Sequence, residues 1–256
     1  MISCYHIDMR NGEQIDDTAD YPKINVGNEE LGVIRKLGEG GTKSVYEVAL
    51  NDKNVAISVP NFSDVREIRD QKWAEAKREP ENTAFLREKG LLVNPLCETK
   101  NMNVNGEQID CLVSMPFSQL PFRVFDGKDG SSTWDNGPLD FIESADEIPK
   151  NLDLVAQDIK SLVESGVLLN RDSISFSVRD QKIRLYLFDL GNMKVDDSFN
   201  KKDLANFYSN TVIEKLDNLF SFNKARILEQ GGYTFDKKHE VAESLANLVL
   251  RKNESQ

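Results

Sequence analysis

The chain has 256 residues, with 43 acidic against 32 basic side chains and a formal net charge of −11, so it does not supply the clustered cations that coating a nucleic-acid backbone requires. Hydrophobic residues make up 39% of the sequence and charged residues 29%, both ordinary for a globular protein, and no run approaches the roughly 18 apolar residues of a membrane-spanning helix. Three scattered cysteines, Cys4, Cys97 and Cys111, and two histidines, His6 and His239, argue against a disulfide framework, a zinc knuckle, a His-based metal site and a Ser-His triad. Chemistry in this chain should rest on carboxylates and lysine. The first residues lack the basic-then-apolar pattern of a cleavable secretory signal, and a soluble protein of a reducing compartment is expected.

Residues 31 to 60 alternate apolar and polar positions around a glycine cluster, through Leu31, Val33, Leu37, Val45, Val48, Val55, Ile57 and Val59, and the alternation predicts three antiparallel strands. From Asp64 to Arg78 the sequence is charged and free of glycine. Pro80 then suits the first turn of a second helix that runs to about Lys89 and stops at Gly90. Strands are expected over Leu91 to Glu98 and Ile109 to Pro116, around a turn at Asn101 to Gly106. The first half thus reads as a five-stranded antiparallel sheet with a helical insertion, over residues 31–118, preceded by an extension over 1–30. The Gly-, Ser- and Asp-rich stretch Asp126 to Gly137 reads as the loop that leaves it.

A helix is expected from about Asn151 to Ser165, with Leu152, Val155, Ile159 and Leu162 on one face and Gly166 ending it. The apolar run Val167 to Leu169 leads into Asn170-Arg171-Asp172. Two short strands, around Phe176 to Val178 and Ile183 to Phe188, lead into Asp189-Leu190-Gly191. The rest carries helical stripes at Leu204, Phe207, Val212, Leu216 and Leu219, and at Val241, Leu245 and Leu248.

The segment from Leu37 to Tyr46 contains Gly38, Gly40, Gly41 and Lys43 and forms a glycine-rich turn between two strands. It is not a P-loop, because Thr42 stands where that motif places glycine before the lysine. Side-chain alternation puts Lys43 on the face of Val45, and Ser58 on the face of Ala56.

The stretch Val55-Ala56-Ile57-Ser58 resembles the Val-Ala-Ile-Lys of protein kinases with the lysine gone. Asn170-Arg171-Asp172 resembles their His-Arg-Asp loop, and Asp189-Leu190-Gly191 their Asp-Phe-Gly. The three in this order and spacing resemble an atypical, minimal member of the protein-kinase-like superfamily. The relocated lysine is similar to that of the with-no-lysine kinases, whose phosphate-binding lysine sits in the glycine-rich strand. The resemblance implies an α+β, bilobal fold with a nucleotide-binding lobe over 31–118 and a reduced, mostly helical lobe over 119–256. It implies an ATP- and magnesium-dependent serine/threonine-protein kinase acting on a protein substrate or a host protein. Lys43 would contact the phosphates, Asp172 would be the catalytic base, and Asp189 would hold magnesium. Gly38, Gly40, Gly41, Val45 and Ala56 would surround the nucleotide, and Ser114 would stand at the gatekeeper position. Met115 or Phe117 would donate to the adenine edge, since Pro116 has no N–H. Glu81 is the first choice for the glutamate that pairs with Lys43, with Glu75, Glu79 and Glu88 also available.

Besides Ser58 for the strand lysine and Asn170 for the motif histidine, the chain departs further from the family's pattern. The metal-binding Asn of the catalytic loop is absent, with Ser175 or Ser177 nearest, and Ile174 replaces the loop lysine. No Ala-Pro-Glu segment follows Gly191. The short ending resembles that of small kinases which pathogenic bacteria deliver into host cells, so both a cytoplasmic location and signal-independent secretion into a host cytosol stay open. A pseudokinase serving as a binding module and a kinase-fold enzyme transferring another group, such as a nucleotidyl group, are the alternatives. For Lys43 itself the plain alternative is a solvated charge beside an ordinary hairpin.

Overall fold

The structure, a computed structural model, describes residues 21–62, 65–125, 152–179, 182–222 and 238–251. The fold is α+β, and the chain divides by packing into two units. One comprises Met1–Leu86, Val93–Pro121 and Asp189–Asn192; the other comprises Arg87–Leu92, Phe122–Phe188 and Met193–Gln256.

In the first unit, β1 (Ile24–Val26), β2 (Glu29–Leu31), β3 (Val33–Glu39), β4 (Lys43–Leu50) and β5 (Lys53–Pro60) precede two helices, α1 (Arg66–Ala76) and α2 (Glu79–Glu88). After the two-residue strand β6 (Leu92–Val93) come β7 (Cys97–Val104) and β8 (Glu107–Ser114). The sheet is antiparallel and has seven strands in the order β2-β1-β7-β8-β5-β4-β3, not five. The two additional strands are β1 and β2, three residues each, which is too short for an alternation to register in the sequence. They are nevertheless anchored, because Ile24 and Leu31 enter the core with Val48, Val55, Ile57, Val59, Met102 and Val113.

Turn chemistry sets the registers. Asn51 and Asp52 both adopt positive φ and join β4 to β5, and Asn105 and Gly106 do the same between β7 and β8. The expected turn over Asn101 to Gly106 therefore shrinks to its last two residues. Asn101 to Val104 continue the strand, with Met102 and Val104 pointing into the core. The expected strand Leu91 to Glu98 is broken instead, since Pro95 cannot donate to a ladder.

The described part of the second unit begins with Arg87–Leu92 and continues with β9 (Arg123–Phe125). Then follow α3 (Asp153–Glu164), β10 (Val167–Leu168), β11 (Ile174–Arg179), β12 (Lys182–Leu187), β13 (Lys194–Val195), α4 (Lys201–Phe222) and α5 (Lys238–Leu250). The expected stripe of α3 is buried: Leu152, Val155, Ile159 and Leu162 are all inside. Gly166 ends the helix at φ +60°, and a Cβ there would lie 2.5 Å from the Asp196 carbonyl oxygen, so glycine is required. Strand β11 lies between β9 and β12, with Ile174, Phe176, Ile183, Leu185 and Leu187 buried, while α4 packs on α3 and α5.

Two stripes shift. On α4, Tyr208 is the buried aromatic and Phe207 is half-buried; on α5 the buried face is Ala242, Leu245, Ala246 and Val249, leaving Leu248 exposed. Small alanines gave that face no apolar signal. The loop reading of Asp126 to Gly137 lies outside the described residues, as do Cys4 and His6.

Candidate functional site

Lys43 opens β4 and pairs in register with Pro60 of β5, so its side chain leaves the sheet on the face of Val45, Ser58 and Ala56. The opposite face carries Tyr46, Val48, Val55 and Ile57 into the core. The parity expected for Lys43 is thus the parity observed. Ala56 and Ser58 are buried, Val45 is half-buried, and Lys43 on the same face is only 6% exposed.

A buried ammonium needs compensating charge. Lys43 Nζ lies 2.7 Å from Glu79 Oε2 and 2.9 Å from Asp189 Oδ1. The glutamate that meets Lys43 is therefore Glu79, not Glu81, which is exposed on the same helix. Two residues along α2 turn a side chain by about 200°, to the far side of the helix. The sequence could not separate the two, since both glutamates lie in the first turn of α2, where the helix dipole favours a carboxylate.

Asp189 belongs by packing to the first unit, although it follows β12 in the chain. Three contacts hold its segment there. Leu190 is buried, and Asn82 Nδ2 of α2 donates to its carbonyl at 2.7 Å. Gly191 runs so close to α1 that a Cβ would sit 2.8 Å from Ala76 Cα and 2.9 Å from the Glu75 carbonyl oxygen. Asp189 itself adopts the left-handed conformation at φ +52°, uncommon for a residue other than glycine and a form of local strain that accumulates at functional positions.

With all three groups ionised, Glu79, Lys43 and Asp189 carry one net negative charge, an arrangement suited to a divalent cation that brings phosphates with it. Among the described residues no group of three or more His, Cys, Asp or Glu side chains comes together as a metal cage. Magnesium does not need one, because it is held by one or two carboxylates with phosphate oxygens and water completing its shell. Asp189, with a side chain 36% exposed, fits that use.

The other expected site residues are dispersed as follows. Gly38 and Gly40 are buried and Gly41 is exposed. Ser114 pairs with Ala56 across β5 and β8. The Met115 amide donates to Asn94 Oδ1 at 3.1 Å, and its carbonyl accepts from Asn94 Nδ2 at 2.8 Å. Both backbone groups of Met115 are thereby committed, so Met115 no longer fits an adenine-facing donor. Phe117 begins a short 3₁₀ turn, Phe117–Gln119.

In the second unit Asp172 is half-buried within the 3₁₀ turn Arg171–Ser173. Arg171 is exposed, 3.0 Å from Glu214 of α4. Ser175 is 1% exposed on β11, too deeply set to be an accessible metal ligand, and Ser177 beside it is equally buried.

Asn82 and Asn94 were not legible as site residues, since a single asparagine in a helix or loop has no pattern. Burial has also raised the Cys111 thiol to about 12, with the Asp110 carboxylate adding to the effect, so this cysteine is inert. No protein-family model matches the chain, and no curated protein does either.

Proposed function

We propose that the chain is a bilobal, protein-kinase-like enzyme that transfers a phosphoryl group from ATP with magnesium to serine or threonine hydroxyls of a protein. One observation carries the reading: Lys43, on the same sheet face as Ser58, is buried between Glu79 and Asp189. A glycine-turn lysine beside an ordinary hairpin would point to solvent and have no reason to lie against both carboxylates.

In this reading Lys43 contacts the phosphates, Asp189 holds the magnesium that bridges them, and Asp172 orients the attacking hydroxyl and accepts its proton. Glu79 holds Lys43 in place. When bound, magnesium supplies the neutralising charge on the phosphates. A binding module without turnover is the second reading, favoured by the burial of Ser175, which leaves the missing loop Asn without a replacement.

Thermal unfolding with and without ATP and magnesium tests the proposal. Wild type should be stabilised, and Lys43→Ala and Asp189→Ala should each lose that stabilisation. A wild type that does not respond sinks the nucleotide reading. With γ-labelled ATP, label should pass to a protein acceptor; stabilisation without transfer selects the binding module, and retention of label from the α position selects nucleotidyl transfer.

A further inference from the structure

The loop joining β3 to β4 consists of Gly40, Gly41 and Thr42, and a protein donor holds each of its carbonyl oxygens. Asn61 Nδ2 donates to the Gly40 carbonyl at 3.1 Å, Lys72 Nζ to that of Gly41 at 3.0 Å, and the Asn61 amide to that of Thr42 at 3.1 Å. The Gly40 amide closes the turn on the Lys43 carbonyl at 2.9 Å. Among the described residues, nothing accepts from the amides of Gly41 or Thr42. The turn is therefore sorted by polarity, with its carbonyls drawn onto the protein and two successive amides left over.

We infer that Asn61 and Lys72 are positioning residues for the phosphates of a nucleotide triphosphate, acting through the backbone of the glycine turn, an inference that rests on the nucleotide reading proposed above. The physical reason is the sign of the dipoles. A carbonyl oxygen turned toward a phosphate repels it, whereas consecutive N–H groups attract it. Each carbonyl that Asn61 or Lys72 captures fixes the adjoining peptide plane, and with it the direction of the next amide. At Gly41 an added Cβ would meet nothing within 4 Å, so no neighbouring group packs on the turn from its Cβ side.

The two anchors also connect to the rest of the site. Asn61 directly follows Pro60, the register partner of Lys43, so it steadies the turn and the root of the lysine together. Lys72 lies on α1, the helix against which Gly191 packs. One helix thus braces both the glycine turn and the segment that carries Asp189. Nothing in the sequence pointed to either residue, because Asn61 follows a strand and Lys72 sits in a charged helix.

The test is to titrate ATP with magnesium, ADP and adenosine against wild type, Asn61→Ala, Asn61→Asp, Lys72→Met and Lys72→Arg, with each protein's melting temperature measured without nucleotide. Asn61→Ala and Lys72→Met should each weaken ATP and ADP about three- to tenfold, the worth of one hydrogen bond, while adenosine, which has no phosphate, binds as before. Lys72→Arg, which keeps a long cationic donor, should retain wild-type affinity. Asn61→Asp should be the weakest, because its carboxylate faces a carbonyl and repels phosphate. Unchanged ATP affinity in Asn61→Ala and Lys72→Met, or a parallel loss of adenosine binding, overturns the inference and leaves the nucleotide reading standing. A wild type that binds none of the three ligands removes both.

Discussion

Glu79 and Glu81 sit two positions apart on α2, yet only Glu79 reaches the Lys43 ammonium. Glu79→Ala should therefore destabilise the protein by about 2 kcal/mol, since it removes one partner of a largely buried ion pair, while Glu81→Ala should stay within about 0.5 kcal/mol of wild type. Urea unfolding of the two variants checks this, and equal effects would return Glu81 to consideration. Gly191 offers a sharper case. Alanine there would place its Cβ 2.8 Å from the backbone of Ala76, and backbone on both sides cannot yield as a flexible side chain can. Gly191→Ala should cost about 1–3 kcal/mol in the same assay and reduce the thermal shift with ATP, because displacing the segment pulls Asp189 away from Lys43. At this scale the Asp-Leu-Gly tripeptide was legible in the sequence. Its reason for ending in glycine was not, since the atoms that demand it belong to a helix more than a hundred residues earlier.

Helix α3 is tied to β12 by Asp158, whose carboxylate accepts from Arg184 Nη2 at 2.5 Å, from Arg184 Nε at 3.3 Å and from the Leu185 amide at 3.0 Å. The same guanidinium donates to the Gly90 carbonyl at 2.9 Å. Burial pushes the Asp158 carboxyl above its ordinary value and outweighs the opposing pull of Arg184 and the Leu185 amide. A carboxyl whose folded pKa lies above its unfolded one binds its proton more tightly when folded. Its contribution to stability is thus fully present below the unfolded value near pH 4, and is lost as the pH rises through the folded value. Relative to Asp158→Asn, wild type should gain stability as the pH is lowered from 7 toward 4, as read by urea unfolding at several pH values. A difference that does not move with pH would contradict this. The hydrophobic stripe of α3 could be read directly from spacing, because apolar residues at helical period need only one buried face. The ion pair could not, because a buried aspartate and an exposed one look alike in sequence. Strands obeyed the same division: β4 and β5 run for eight residues each and declared themselves, whereas β1 and β2, three residues each, are held by pairing with one another and with β7 and by Ile24 and Leu31 in the core.

Across the whole chain, the net charge of −11 predicts self-repulsion that salt screens. Raising NaCl from about 50 to 500 mM should increase the melting temperature by a few degrees, and a decrease would mean that attractive pairs such as Lys43 with Glu79 and Asp189 outweigh the repulsion. No helix among the described residues is long and apolar enough to cross a membrane, as composition led one to expect. The sequence by itself determined the α+β class, the antiparallel hairpins, the helix-ending glycines and the face on which Lys43 projects. Each of these follows from local period or local backbone sterics, which neighbouring residues in the chain specify together. Tertiary structure alone decided which glutamate meets Lys43, that Asp189 joins the unit of the glycine turn, that Asn94 occupies Met115, and that Asn61 and Lys72 hold the turn's carbonyls. Those outcomes depend on groups brought together from distant parts of the chain, where burial selects one of several chemically equivalent side chains.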